Sequence, residues 1–250
     1  MKNAPIIFII SLCMGLVIAS VSMSAAPVFD NRLYAELLSK YVKKGVVNYG
    51  GFKKEENKFN AYLNLFESAD TEKMSEKERF AFYINAYNAW TIKLILSGYP
   101  GIKSIKDMGS FFTSPWNKKI CRIHGKILTL DDIENRILRK EFKDPRVHFA
   151  IVCASKGCPD LSSMPYQAST INKQLDAAVR AFVNNRKKNY IIADTLYISK
   201  IFKWFSQDFS NDIVAFFNRY AAETFKEKIS AESGNIKIKY LEYDWSLNGY

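Results

Sequence analysis

Histidine is nearly missing from this chain. Its 250 residues hold two, His124 and His148, so imidazole chemistry rests on one or both of them. Cysteine is also sparse at four, and the paired cysteine and histidine clusters favoured by structural zinc do not occur. Internal repeats and low-complexity tracts are lacking, which excludes a solenoid or a disordered tail as the organising feature. Acidic residues are outnumbered, and the formal charge is +11. The lysines are scattered singly or in pairs along the chain instead of forming a basic stripe, so nucleic acid is not an expected partner. The remaining consequence of that charge is weak attraction to an anionic membrane surface.

The one long apolar run lies at the N-terminus. Lys2, an apolar stretch from Pro5 to Val21 and small residues up to Ala26 read as a cleaved export signal. This predicts a periplasmic or secreted protein. Removing residues 1–26 takes away Lys2 and Cys13, leaving a charge of +10 and the thiols Cys121, Cys153 and Cys158. In an oxidising compartment three thiols suggest one bridge and one leftover. The remaining residues, 27–250, are expected to form one domain.

The best-signalled element is a helix at about 76–97. Ser75 and Glu78 form a capping box, Gly98 and Pro100 close the far end, and the stretch between is apolar on nearly every side. Asn85 and Asn88 interrupt it on one face. Their amides must be hydrogen-bonded inside a core, either tying loop backbone to the helix or orienting a functional group. Other helices are expected over Leu33–Lys44, Lys53–Glu67, Thr129–Arg139, from Ile171 to Phe182, and as a last long helix over Asn211–Lys228. Arg186-Lys187-Lys188 reads as a solvated run. Short hairpins are predicted at His124-Gly125 and around Ala193-Asp194-Thr195, with a final strand at Ile236–Tyr240. Phe111, Phe112 and Trp116 sit in a loop and could line a groove. The fold class is therefore α+β, mainly helical with a small sheet.

The chemistry is expected around Val147–Pro159. Val147–Cys153 reads as a buried strand, which would turn His148 and Cys153 to opposite faces, roughly 17 Å apart. Cys153 would end that strand beside Lys156, a neighbour that favours a thiolate, while Gly157 permits a tight turn. Cys153 and Cys158 are also a disulfide candidate. Glu134 borders the apolar stripe of its helix, where it reaches inward or pairs at the rim, and Asp208 is a buried-carboxylate candidate.

Tyr83-Ile84-Asn85-Ala86-Tyr87-Asn88-Ala89, Leu130-Asp131-Asp132-Ile133-Glu134, Asp144-Pro145-Arg146-Val147-His148-Phe149-Ala150, Cys153-Ala154-Ser155-Lys156-Gly157-Cys158-Pro159 and Ile201-Phe202-Lys203-Trp204-Phe205 together resemble the domain of unknown function 547 family, from about Leu37 to the C-terminus. The resemblance implies no assigned activity; the family occurs in exported bacterial proteins and in plant proteins. By analogy the layout is similar to papain and transglutaminase-like enzymes. Those place the nucleophilic thiol at the start of the core helix, and this core helix has no cysteine.

Three functions stand open. One is an exported envelope module that binds or assembles with an envelope protein, stabilised around the cysteine loop. Another is a thiol-dependent hydrolase or acyl transferase acting on a small-molecule or peptide substrate, with Cys153 as nucleophile, His124 or His148 as base, and Asn85 or Asn88 as orienter. The third, a metal site built on Cys121 and His124 with His148, Cys153 or Cys158, is disfavoured by spacing. No cofactor is expected. In protein lacking residues 1–26 and purified without reductant, thiol titration under denaturing conditions should find one free thiol; three would remove the bridge.

Overall fold

The computed structural model describes residues 29–231 and 236–250. The expected export signal, residues 1–26, lies outside the described residues. The chain opens with α1 (Arg32–Tyr41), the strand pair β1 (Val42–Lys43) and β2 (Val46–Val47), then α2 (Tyr49–Lys54), α3 (Glu56–Ser68) and α4 (Glu76–Leu96). The hairpin β3 (Cys121–Ile123) and β4 (Lys126–Leu128) follows, then a π-wound helical segment, Asp132–Arg139, ending in α5 (Lys140–Phe142). Next come α6 (Ile171–Val183), β5 (Tyr190–Ile192), β6 (Thr195–Ile198), α7 (Ile201–Trp204), α8 (Ile213–Tyr220), α9 (Glu223–Ala231) and β7 (Lys237–Tyr240). The architecture is α+β and mainly helical, as expected.

Helix α4 forms where its signals place it. Ser75 accepts from the Glu78 amide and Glu78 accepts from the Ser75 amide, a reciprocal cap that satisfies donors the first turn leaves unpaired. From Phe80 to Leu96 nearly every side chain is buried, as a helix apolar all round requires. Both asparagine amides grip loop backbone with two hydrogen bonds each. Asn85 donates to the Tyr166 carbonyl and accepts from its amide, both at 2.8 Å. Asn88 donates to the Ala150 carbonyl and accepts from the Val152 amide, both at 2.9 Å.

The sheets are small. β1 pairs β2 and β3 pairs β4, both antiparallel, while β6 pairs β5 antiparallel and β7 parallel. The parallel pair is bridged by α7, α8 and α9, the kind of crossover that parallel strands demand. The apolar residues divide between a cluster around α4 and a phenylalanine-rich cluster around Phe149, Phe202 and Phe217. Val147 and Ala150 belong to the first and Phe149 to the second, so this segment lies between the two.

That segment is not a strand. Pro145–Phe149 is a 3₁₀ turn started by Asp144, whose side chain accepts from the Arg146 amide, with Pro145 in the first helical position. An N-cap followed by proline is a helix-start signal, and it outweighs the apolar run behind it. The residues are buried all round as expected, but the strand geometry that separated His148 from Cys153 does not apply.

The expected last long helix breaks into α8 and α9 at Ala221, whose backbone is extended at ψ 146°. Asn184 causes the substitution of partners, donating to the Tyr220 carbonyl and accepting from the Ala222 amide. The helix expected over Lys53–Glu67 is likewise divided between α2 and α3 at Glu55. Lys188 is not solvated as its basic run suggested. Its side chain is 15% exposed and its ammonium donates to the Cys158 carbonyl.

Phe111 and Phe112 stack edge-to-face on each other and project into solvent. No helix among the described residues is long and apolar enough to cross a membrane. Asn88→Ala would orphan two buried backbone groups, so it should lower the unfolding free energy by about 2–4 kcal/mol. Urea denaturation, with the exposed Asn64→Ala as a control near zero, checks this.

Candidate functional site

Asn88 fixes the backbone on both sides of Ile151 and so sets the spacing between His148 and Cys153. Both residues line one cavity of about 360 Å³. Five further stretches complete it: α4 contributes Tyr87, the π-wound segment Glu134 and Asn135, the turn at Pro115 its neighbour Trp116, and α7 contributes Trp204. The C-terminal tail adds Tyr243 and Trp245. A larger hollow of about 740 Å³ beside Phe29 carries only Glu78 and the exposed Asp30–Arg32 pair as charged groups.

His148 is buried with a side chain 1% exposed, and its Nε2 lies 2.7 Å from Asp208 Oδ2. Phe205 stacks on the imidazole at 4.0 Å between ring centres. Arg139 holds the same carboxylate through two contacts, Nε at 2.6 Å and Nη2 at 3.0 Å. Hydrogen bonds from His148 and then Arg139 hold the Asp208 carboxyl far below the usual range. Burial pushes His148 down, and this outweighs the support from Asp208. The imidazole is therefore neutral at neutral pH, donating Nε2–H to Asp208 and leaving Nδ1 unprotonated.

The opposite wall carries a second titrating group. Thr129 and Asp132 cap their helix reciprocally, and the widened turns that follow place Glu134 against α4. Tyr87 donates to Glu134 Oε2 at 3.0 Å. Burial pushes the Glu134 carboxyl up to about 7, only partly opposed by the Tyr87 hydrogen bond. It makes no salt bridge among the described residues, contrary to the rim pairing considered from its helix position.

At the floor Cys153 and Cys158 form a disulfide. Ser155 Oγ lies 3.1 Å and Tyr243 OH 3.3 Å from Cys153 Sγ. Ala154 adopts a left-handed φ of 60°, a conformation that costs a residue with a Cβ about 1–2 kcal/mol. The tail stabilises that turn. Asn248 donates to the Ala154 carbonyl, while Lys156 and Gly157 donate to the Ser246 and Asp244 carbonyls. Gly157 is needed for space: a Cβ there would sit 2.8 Å from the Tyr243 ring. Tyr243, Trp204 and Trp245 pack together with ring centres 4.6–5.8 Å apart.

Of the residues singled out from sequence, His148, Cys153, Cys158 and Glu134 reach the cavity, and Asp208 stands behind His148. His124 does not. It occupies the β3–β4 turn with φ 49° and its Nδ1 contacts the Ala69 carbonyl, so it pins the hairpin to the end of α3. Asn85 holds the Tyr166 loop elsewhere. Lys156 lines a separate hollow with Lys44, Cys158 and Asp160 and is not among the residues lining the cavity. Cys121 is a buried free thiol, and among the described residues no three His, Cys, Asp or Glu side chains could hold a metal ion.

Residues 71–183 match a family model described as protein of unknown function, DUF547. A DUF547 domain is thereby supported over residues 71–183, just under half of the chain. The DUF547 match is shorter than the resemblance expected from Leu37 to the C-terminus. It contains Tyr87, Glu134, His148, Cys153 and Cys158, while Trp204, Asp208, Tyr243 and Trp245 lie beyond it. No curated protein and no solved structure matches the chain.

Sequence reading missed Tyr87, which lies next to Asn88, and Tyr243 and Trp245, whose tail position carries no periodic signal. A carboxyl raised by burial disfavours the folded state above its unfolded range. Glu134→Gln should therefore be close to neutral for stability below about pH 4.5 and increasingly stabilising from there to about pH 7, levelling at about 1–2 kcal/mol once solvent in the cavity is allowed for. Urea midpoints across that range test the sign.

Proposed function

We propose that this protein is an exported module that binds a small ligand, or a side chain of an envelope partner, in the aromatic cavity beneath the cysteine loop. The residues 1–26 pattern supports export. One observation carries the binding reading: three of the chain's four tryptophans converge with Tyr243 on a mainly apolar cavity whose polar groups include a carboxyl with a strongly raised pKa. An apolar cleft with a few convergent polar groups and a perturbed acid is the usual form of a small-ligand site. The disulfide, the Ala154 turn and the tail hydrogen bonds brace that floor.

A second reading is favoured by the pairing of His148 with Asp208. Reduction of the bridge would release Cys153 into the cavity that a neutral imidazole already lines, which is the layout of a thiol hydrolase or acyl transferase. In that reading Cys153 is the nucleophile, His148 the base and Asp208 its orienter, with Asn88 positioning the backbone between them. Against it stands the bonded state of the sulfur.

Two measurements separate these. Fragment soaking followed by indole NMR should move the Trp116, Trp204 and Trp245 signals and leave Trp90 unmoved; shifts at Trp90 alone would end the binding reading. After mild reduction, Cys153 and Cys158 should alkylate at similar, ordinary rates, unaffected by Asp208→Asn. Labelling of Cys153 at least about tenfold faster, and slowed by Asp208→Asn, would hand the cavity to thiol chemistry.

A further inference from the structure

The sign of the cavity is opposite to that of the protein. The chain carries +11, yet the ionisable side chains that line the cavity include two carboxylic acids, Asp131 and Glu134, and no lysine or arginine. Asp131 accepts only from Asn135 Nδ2 at 2.8 Å and Glu134 only from Tyr87 among the described residues. Neither carboxylate makes a salt bridge there: the Arg139 guanidinium, which attracts both at longer range, is bonded to Asp208 and does not line the cavity, and the neutral His148 imidazole is committed to the same Asp208.

Aromatic rings make up much of the rest of the wall. Aromatic rings attract cations through their negative faces, most strongly tryptophan. This wall already does so from outside the cavity: the Lys106 ammonium sits 3.9 Å from the centre of the Trp245 ring, and the Arg139 guanidinium sits 4.8 Å from that of Phe205. Aromatic rings and carboxylates that make no salt bridge, lining one cavity, form a site for an organic cation, since the rings favour a weakly hydrated charge and the carboxylates exclude anions.

We infer that the cavity binds the ammonium head of a cationic small ligand or side chain, with Glu134 and Asp131 facing the charge and Trp204, Tyr243 and Trp245 flanking it. This rests on the reading of the cavity as a binding site and names the class of its ligand. Free Glu134 Oε1 is the strongest contact available to the cation. Asp131 supplies longer-range attraction.

Calorimetry on the disulfide-intact protein at about pH 8, where Glu134 is ionised, should show choline binding at least about tenfold tighter than its uncharged tert-butyl analogue. Glu134→Gln should bring the two within about twofold, and Trp204→Leu should weaken choline more than the analogue. Equal affinity for both compounds in the unaltered protein would overturn the inference while leaving a binding cavity. Binding of neither, with neutral fragments still moving the three cavity indoles, would also overturn it and leave the broader reading intact. A preference for choline that Glu134→Gln does not change would likewise overturn it, because the carboxylate is then not the recognising group.

Discussion

Asn88 lies on a helix with almost no solvent on any side, and a carboxamide can be buried there only if both of its ends are satisfied. The Ala150 carbonyl and Val152 amide do this, and in return they lose the freedom to move relative to α4. The rest follows from that mutual requirement. Backbone held on both sides of Ile151 keeps His148 and Cys153 against one cavity, puts Phe149 into the second apolar cluster, and leaves the chain pointing into the Ala154 turn. A 3₁₀ turn and an irregular stretch hold their places without ladder hydrogen bonds because a side chain supplies the missing partners.

The charges around the cavity are arranged on the same logic. Asp208 is shared by Arg139 and His148, so its charge is compensated before the imidazole needs to ionise, and burial can keep His148 neutral. Glu134 feels the same guanidinium only at longer range, without a salt bridge; its hydrogen-bond partner is Tyr87, and desolvation moves its titration to about 7. Two carboxyls on neighbouring elements thus differ widely in acidity because one accepts hydrogen bonds from His148 and Arg139 and the other is desolvated with a phenol as its hydrogen-bond donor.

What was legible in the sequence was whatever a local pattern encodes. The capping box of α4, the turn at His124-Gly125, the strands at the end and the pairing of Cys153 with Cys158 are all decided within a few residues. Asn85 and Asn88 were legible as buried amides in need of partners, but not which backbone they would hold. The strand at Val147–Cys153 was misread because an apolar run buried on all sides looks the same whether extended or coiled; the deciding signal was Asp144-Pro145 in front of it. His124 was a candidate as one of two imidazoles and Lys156 through proximity in sequence, and neither lines the cavity. Tyr243 and Trp245 depend on a tail whose hydrogen bonds run to residues about ninety positions earlier, which no window along the chain can register.

That tail also sets an order of events. Tyr250 donates to the Val47 carbonyl and accepts from the Tyr49 amide, Asn248 accepts from the Val47 amide, and Gly249 leaves no room for a Cβ against Val47. Closing a loop of about two hundred residues is slow compared with forming a helix or hairpin. Cys153 and Cys158 are five positions apart and can meet before those distant contacts form. In an oxidising compartment the sulfurs can therefore join while still open to solvent, and the tail then seals a bond already in place.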